Sequence, residues 1–154
     1  MWMARALELA QGAAERGEVP VGAVLVDGSG RLVAASGNQV EGRKDGTAHA
    51  ELLVLQEASR VLGEWRLTDC TLYVTKEPCA MCAGAIVNSR VGTLVFGAPD
   101  PRMGAAGSAL DVTGFPGMLH RPVVRAGVLE GECAQVLREF FRQRRAEAKN
   151  PIEG

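Results

Sequence analysis

The chain has 154 residues, of which 47% are hydrophobic and 23% charged, and its formal net charge is −1. That length is enough for one full core and short for two, so a single domain over residues 1–154 is expected. The near-neutral balance excludes nucleic-acid binding through overall charge, and four cysteines in a chain this size do not make a disulfide framework.

Met1-Trp2-Met3-Ala4-Arg5 leads into an amphipathic pattern, not into the apolar block of a signal peptide. No run of about 18 apolar residues occurs, so no membrane span is expected. A reduced, cytoplasmic protein is the expectation. Met3, Ala6, Leu7, Ala10, Ala13 and Ala14 recur at helical spacing, with Gly17 as a stop. Val21 to Val26 and Arg31 to Ala35 flank Asp27-Gly28-Ser29-Gly30 and read as a hairpin. Gly22 interrupts the first strand, at a place where backbone could approach a ligand. After a loop from Gly37 to Gly46, a helix is expected over Ala48 to Leu62, capped by Thr47 or a neighbour, with Gly63 after its end. A buried strand follows at Thr71 to Thr75, a helix at Cys79 to Asn88 and a strand at Thr93 to Phe96. Asp100 to Met118 is rich in Gly and Pro, and so long a loop in a compact domain is usually functional or mobile. Val123 to Val128 is the last strand, and Glu132 to about Lys149 the last helix. About five strands with helices on both faces make a three-layer α/β/α domain around a mixed sheet.

Two stretches in this pattern carry chemistry. Thr47-Ala48-His49-Ala50-Glu51 and Glu77-Pro78-Cys79-Ala80-Met81-Cys82 read His-x-Glu and Pro-Cys-x-x-Cys, with His49 and Cys79 30 positions apart. One imidazole and two thiolates supply three ligands, and a catalytic zinc leaves the fourth place to water. Cys79 and Cys82 share a face if a helix starts at Pro78 or Cys79. The free amides and dipole of that first turn favour thiolate. His49 and Glu51, two apart, point about 200° from each other on a regular helix. Both therefore have to sit at a helix start, which leaves Glu51 free to handle protons instead of binding metal. Cys-x-x-Cys alone leaves open a structural zinc clip or two core cysteines near an unrelated histidine. His-x-Glu and the preceding proline favour the catalytic reading. Cys70 and Cys133 read as buried small apolar residues.

The sequence resembles the bacterial tRNA-specific adenosine deaminases, of the cytidine deaminase-like fold. The resemblance rests on the two zinc motifs, Glu18 to Val26, Leu72 to Thr75, Gly104-Ala105-Ala106-Gly107-Ser108 and Phe140-Phe141-Arg142. It covers nearly the whole chain. It implies that His49, Cys79 and Cys82 hold one zinc ion and that Glu51 shuttles protons. It implies hydrolytic deamination of adenosine to inosine at the wobble position of a tRNA anticodon. It also implies that Asn38 binds the target nucleoside, that Asp100 contacts the nucleotide beside it, and that a homodimer receives the anticodon stem-loop. Gln39, Pro99 and Pro101 depart from the family pattern.

On the residues alone, Asn38 reads as a turn residue, Asp100 as a loop residue or cap, and His120 as a hydrogen-bonded or RNA-adjacent surface group. Between Arg138 and Lys149 five basic residues stand against two acidic ones, a modest footprint for phosphate or a solvated helix face. Phe140 and Phe141 are adjacent and cannot both face the core. Phe141 and Arg142 are therefore candidate substrate contacts, with a partner interface as the alternative. The competing functions are a free-base or nucleotide deaminase and a non-catalytic RNA-binding subunit with structural zinc.

Overall fold

The computed structural model describes residues 1–149. The expected single domain runs to residue 154, so its last five positions lie outside the described residues. The element order is α1 (Trp2–Glu15), β1 (Gly22–Val26), β2 (Leu32–Gly37), α2 (Val40–Arg43), α3 (Ala50–Leu62), β3 (Thr71–Lys76), α4 (Ala80–Asn88), β4 (Thr93–Ala98), β5 (Val123–Arg125) and α5 (Glu130–Lys149). The strands form one sheet in the order β2-β1-β3-β4-β5. β1 runs antiparallel to both β2 and β3, whereas β3, β4 and β5 run parallel to one another. The expected mixed five-stranded sheet is what forms.

Alternation along the strands divides the core between the two faces of this sheet. Ala23, Leu25, Leu72, Val74, Leu94 and Phe96 pack under α3 and α4. Val24, Tyr73 and Val95 point the other way, onto Met3 and Ala6 of α1 and Cys133 of α5. Cys70 and Cys133 are both 1% exposed, and burial pushes each thiol up to about 11.

Several expectations are corrected. The backbone that approaches Gly22 belongs to α1. A Cβ there would collide with the Ala6 carbonyl oxygen and lie 2.7 Å from the Ala10 nitrogen, so this glycine lets α1 press on the sheet. The Gly37–Gly46 loop contains the end of β2 and the four-residue α2. Two backbone N–H groups at the start of α2, those of Glu41 and Gly42, donate to the buried Glu18 carboxylate at 3.0 and 2.8 Å. Residues 48 and 49 lie outside α3, because His49 has extended backbone (φ −74°, ψ 147°). Residues 126–128 are not strand, and α5 starts two residues before Glu132.

Candidate active site

α3 and α4 aim their N-termini at one place. His49 is the N-cap residue of α3 and Cys79 that of α4, so Pro78 lies before the helix and not at its first position. Thr47 does not cap α3, since its N–H and hydroxyl both donate to Asp45 Oδ1, at 2.8 and 2.7 Å. Asn38, at the end of β2, does the bracing. Its Oδ1 accepts the Ala50 N–H at 2.8 Å, and its Nδ2 donates to the Val19 carbonyl at 3.2 Å. Gln39 N–H adds a bond to the Ala48 carbonyl. The residues either side of His49 are thereby tied to the sheet.

His49 Nδ1 lies 3.7 Å from Cys79 Sγ and 3.6 Å from Cys82 Sγ. Among the described residues, these three side chains form a group whose donor atoms all lie within 4.8 Å of one another. A tetrahedral ion with ordinary zinc–nitrogen and zinc–sulfur bonds places N and S about 3.6 Å apart. The donor set and its spacing therefore fit zinc. Glu51, the second residue of α3 and 4% exposed, contributes no oxygen to that group.

The electrostatics separate the roles. The Cys82 thiol, the His49 ring and the Cys82 amide together hold the Cys79 thiol down to about 3. Cys82 is pushed up by the Cys79 sulfur and by burial. His49 is raised by its bond to Cys79. Desolvation raises the Glu51 carboxyl above its ordinary range, which makes it a better proton acceptor than an exposed glutamate.

His49, Glu51 and Cys79 open into a cavity of about 310 Å³, whose lining also includes Asn38, Lys76 and Asp100. That is the small end of the ~300–1,000 Å³ range of small-molecule sites. Asp100 Oδ1 accepts the Arg102 and Met103 N–H groups, and its Oδ2 pairs with Lys76 Nζ at 3.2 Å. Phe141 is 42% exposed and lines a neighbouring cleft with Met103 and Leu137. Arg142 is exposed and lines neither space. Arg144, two residues on, lines the cavity, donates to the Gly17 carbonyl at 2.6 Å and lies over the Phe140 ring. His120 bonds the Val91 carbonyl through Nε2 at 2.7 Å.

Sequence reasoning gave no part to Glu77 beyond its motif. Its carboxylate, 2% exposed, accepts the N–H groups of Asp100, Ala106 and Ser108 at 3.0 to 3.1 Å and the Ser108 hydroxyl. Burial opposes its charge, but these four donors outweigh it and hold the carboxyl below its usual range. Gly104 leaves the room, because a Cβ there would collide with the Glu77 carboxyl carbon. The 100–108 loop is thus built onto the residue two before Cys79. An acidic side chain beside Pro-Cys and a downstream glycine-rich loop were the only sequence signals.

Residues 1–145 match the family model described as MafB19-like deaminase. The tRNA-specific adenosine deaminase of Bacillus subtilis (strain 168) is 47% identical over 149 residues, 97% of this chain and 92% of that one. A structure from a study of A-to-I editing by tRNA:A34 deaminases at the wobble position of transfer RNA is 46% identical. It superposes with a TM-score of 0.85 over 88% of this chain and 98% of that one. The guanine deaminase of Nitrosomonas europaea is more remote, at 28% identity and a TM-score of 0.72 over 90% of this chain and 82% of that one. With its fold and its His-Cys-Cys group, the chain belongs to the tRNA-specific adenosine deaminases of the cytidine deaminase-like family.

Proposed function

We propose that this chain hydrolyses adenosine to inosine at the wobble position of a tRNA anticodon. The observation that carries the reading is the His49, Cys79 and Cys82 group, which meets a nucleotide-sized cavity through His49 and Cys79 beside a buried Glu51. It occurs in a chain 47% identical to a tRNA-specific adenosine deaminase over 97% of its length.

His49, Cys79 and Cys82 would hold one zinc ion, which when bound brings the pKa of a water down to about neutrality. Glu51 takes a proton from the attacking water and delivers it to the purine ring nitrogen, then moves a second to the departing amine. A C6–O bond forms, the C6–N bond breaks, and inosine and ammonia result. Asn38 borders the cavity with both ends of its amide engaged, so it orients the His49 turn and can offer its remaining N–H to the nucleoside. Asp100 at the rim would meet the adjoining nucleotide, and Phe141 and Arg142 would meet RNA beyond it. The base has to leave its stack, at little cost in an unpaired anticodon loop.

A homodimer in the cytoplasm completes the proposal. Exposed Phe115, Leu119, Val123 and Val124 lie on edge strand β5 and the loop before it, an apolar strip suited to a second copy. Sedimentation at micromolar concentration should give twice the monomer mass. Among the described residues, no helix is long and apolar enough to cross a membrane.

The deciding assay incubates the zinc-loaded protein with an anticodon stem-loop bearing a wobble adenosine, and separately with free guanine, cytidine and adenosine. Inosine from the stem-loop and no turnover of the small substrates is the expected result. Efficient turnover of guanine, with the stem-loop untouched, would assign the chain to free-base chemistry instead.

A further inference from the structure

The catalytic cavity and the cleft beside it, of about 450 Å³, share one wall made by Lys76 and Asp100. The far side of that cleft is apolar, with Met103, 65% exposed, and Phe141, 42% exposed. These are surfaces on which a base can stack. Two adjoining nucleotides with one base in each space have their linking phosphodiester at the Lys76–Asp100 wall.

The charge distribution makes that point critical. Glu18, Glu41, Glu51, Glu77 and Asp100 all line the catalytic cavity. A neutral base is at home there, but a phosphate is repelled unless a cation meets it at the rim. Arg144 is held by Gly17 and Phe140, and Arg102 lines only the outer cleft. Lys76 is the basic residue that lines both spaces, among the described residues. Its position follows from the fold, since it ends β3, three residues before Cys79, in register with Ala98. Its side chain remains 30% exposed and, among the described residues, has one partner, Asp100 Oδ2 at 3.2 Å. The other N–H groups of the ammonium are available.

We propose that Lys76 is a specificity-determining residue that binds the phosphodiester joining the target nucleotide to its neighbour, with Asp100 holding the ammonium at the wall between the two spaces. This rests on the tRNA reading above. A free base has no such phosphate and gains nothing from Lys76, so the residue favours a polynucleotide over small substrates. Phosphate binding is the same in ground and transition states, so its loss raises KM and leaves kcat alone.

The test compares zinc-loaded wild type, Lys76→Met and Lys76→Arg on the wobble-adenosine stem-loop. Zinc content and thermal midpoint are measured alongside. Methionine keeps the aliphatic stem, so both should match wild type. Lys76→Met should raise KM roughly tenfold, the scale of one lost charge-assisted hydrogen bond, with kcat unchanged. The slope of log affinity against log salt should become shallower by about 0.7, the value for one single-strand phosphate. Lys76→Arg should restore both. An active wild type with unchanged KM and salt slope in Lys76→Met would overturn this role alone, and so would a loss confined to kcat. A wild type that forms no inosine would overturn the tRNA reading and this role with it. If Lys76→Met loses zinc or stability, Lys76→Gln decides by the same two readouts.

Discussion

Asn38 Oδ1 lies 2.8 Å from the backbone nitrogen of Ala50, the residue that follows His49. One amide side chain, 7% exposed, thus joins the end of β2 to the start of α3 and sets where the imidazole begins. Asn38→Ala would leave that N–H buried without a partner, at a cost of about 1–3 kcal/mol, while the Val19 carbonyl would keep its bond from the Val21 N–H. A lower thermal midpoint and weaker zinc retention against a chelator are expected. Asn38→Asp keeps the acceptor but not the donor, and should fall between. Wild-type zinc retention in Asn38→Ala would show that α3 holds His49 without this brace.

The ligand assignment is tested by elemental analysis. One zinc per chain is expected in the purified protein. Cys79→Ala and Cys82→Ala should lose it, whereas Cys70→Ala and Cys133→Ala, altered inside the core, should keep it. Zinc retained at full occupancy in Cys79→Ala would remove that residue from the site.

Glu51→Gln should keep its zinc and its RNA affinity, yet lose turnover by at least the ~10²–10⁴-fold typical of general acid–base groups. In the wild type, kcat/KM should fall as pH drops through the raised Glu51 pKa, because the base must be ionised to take a proton from water. A variant that loses metal together with activity would mean that Glu51 is needed to assemble the site.

Asp100 supplies a pH dependence whose sign can be worked out. Partial burial opposes its charge, but the Met103 and Arg102 amides and the Lys76 ammonium hold it below the usual carboxylate range. A carboxyl depressed in the folded state contributes stability above its unfolded pKa of about 3.9, lost as pH falls through the folded value. Wild type should therefore be slightly more stable than Asp100→Asn at neutral pH, and the gap should close in acid. Melting curves of the two proteins from neutral pH down to about 3 would show it. A gap that does not change with pH would mean the carboxylate's charge adds nothing.

The basic helix end separates into two kinds of arginine. Arg142→Ala with Arg145→Ala removes exposed charges and should leave the melting temperature within error. It should weaken stem-loop binding and make its salt dependence shallower by up to about 0.7 per phosphate lost. Arg144→Ala also removes the tie to the Gly17 carbonyl, so it should loosen the docking of α5 on α1. Faster exchange of the amides at the end of α5 would register that. Unchanged affinity and salt slope in the double variant would take Arg142 and Arg145 out of the RNA site.

Local patterns determined much of this protein from sequence. Apolar runs bounded by turn residues marked the inner strands, which are covered on both faces, and period-3.6 spacing marked the longer helices, each of which buries one face. The spacing of His49, Glu51, Cys79 and Cys82 marked the metal chemistry, since i, i+2 and i, i+3 relations at a helix start are local geometry. Only the tertiary structure decided what braces those motifs. Asn38 and Ala50 are 12 apart in sequence, Glu77 and Ser108 are 31 apart, and Arg144 and Gly17 are 127 apart. No periodicity links such positions, because a buried amide or carboxylate takes whichever backbone donors the packed chain delivers to it. The same holds for Lys76. In the sequence it is one more lysine at a strand end. It becomes a candidate phosphate ligand because parallel pairing of β3 with β4 sets it beside Asp100, at the wall between two cavities.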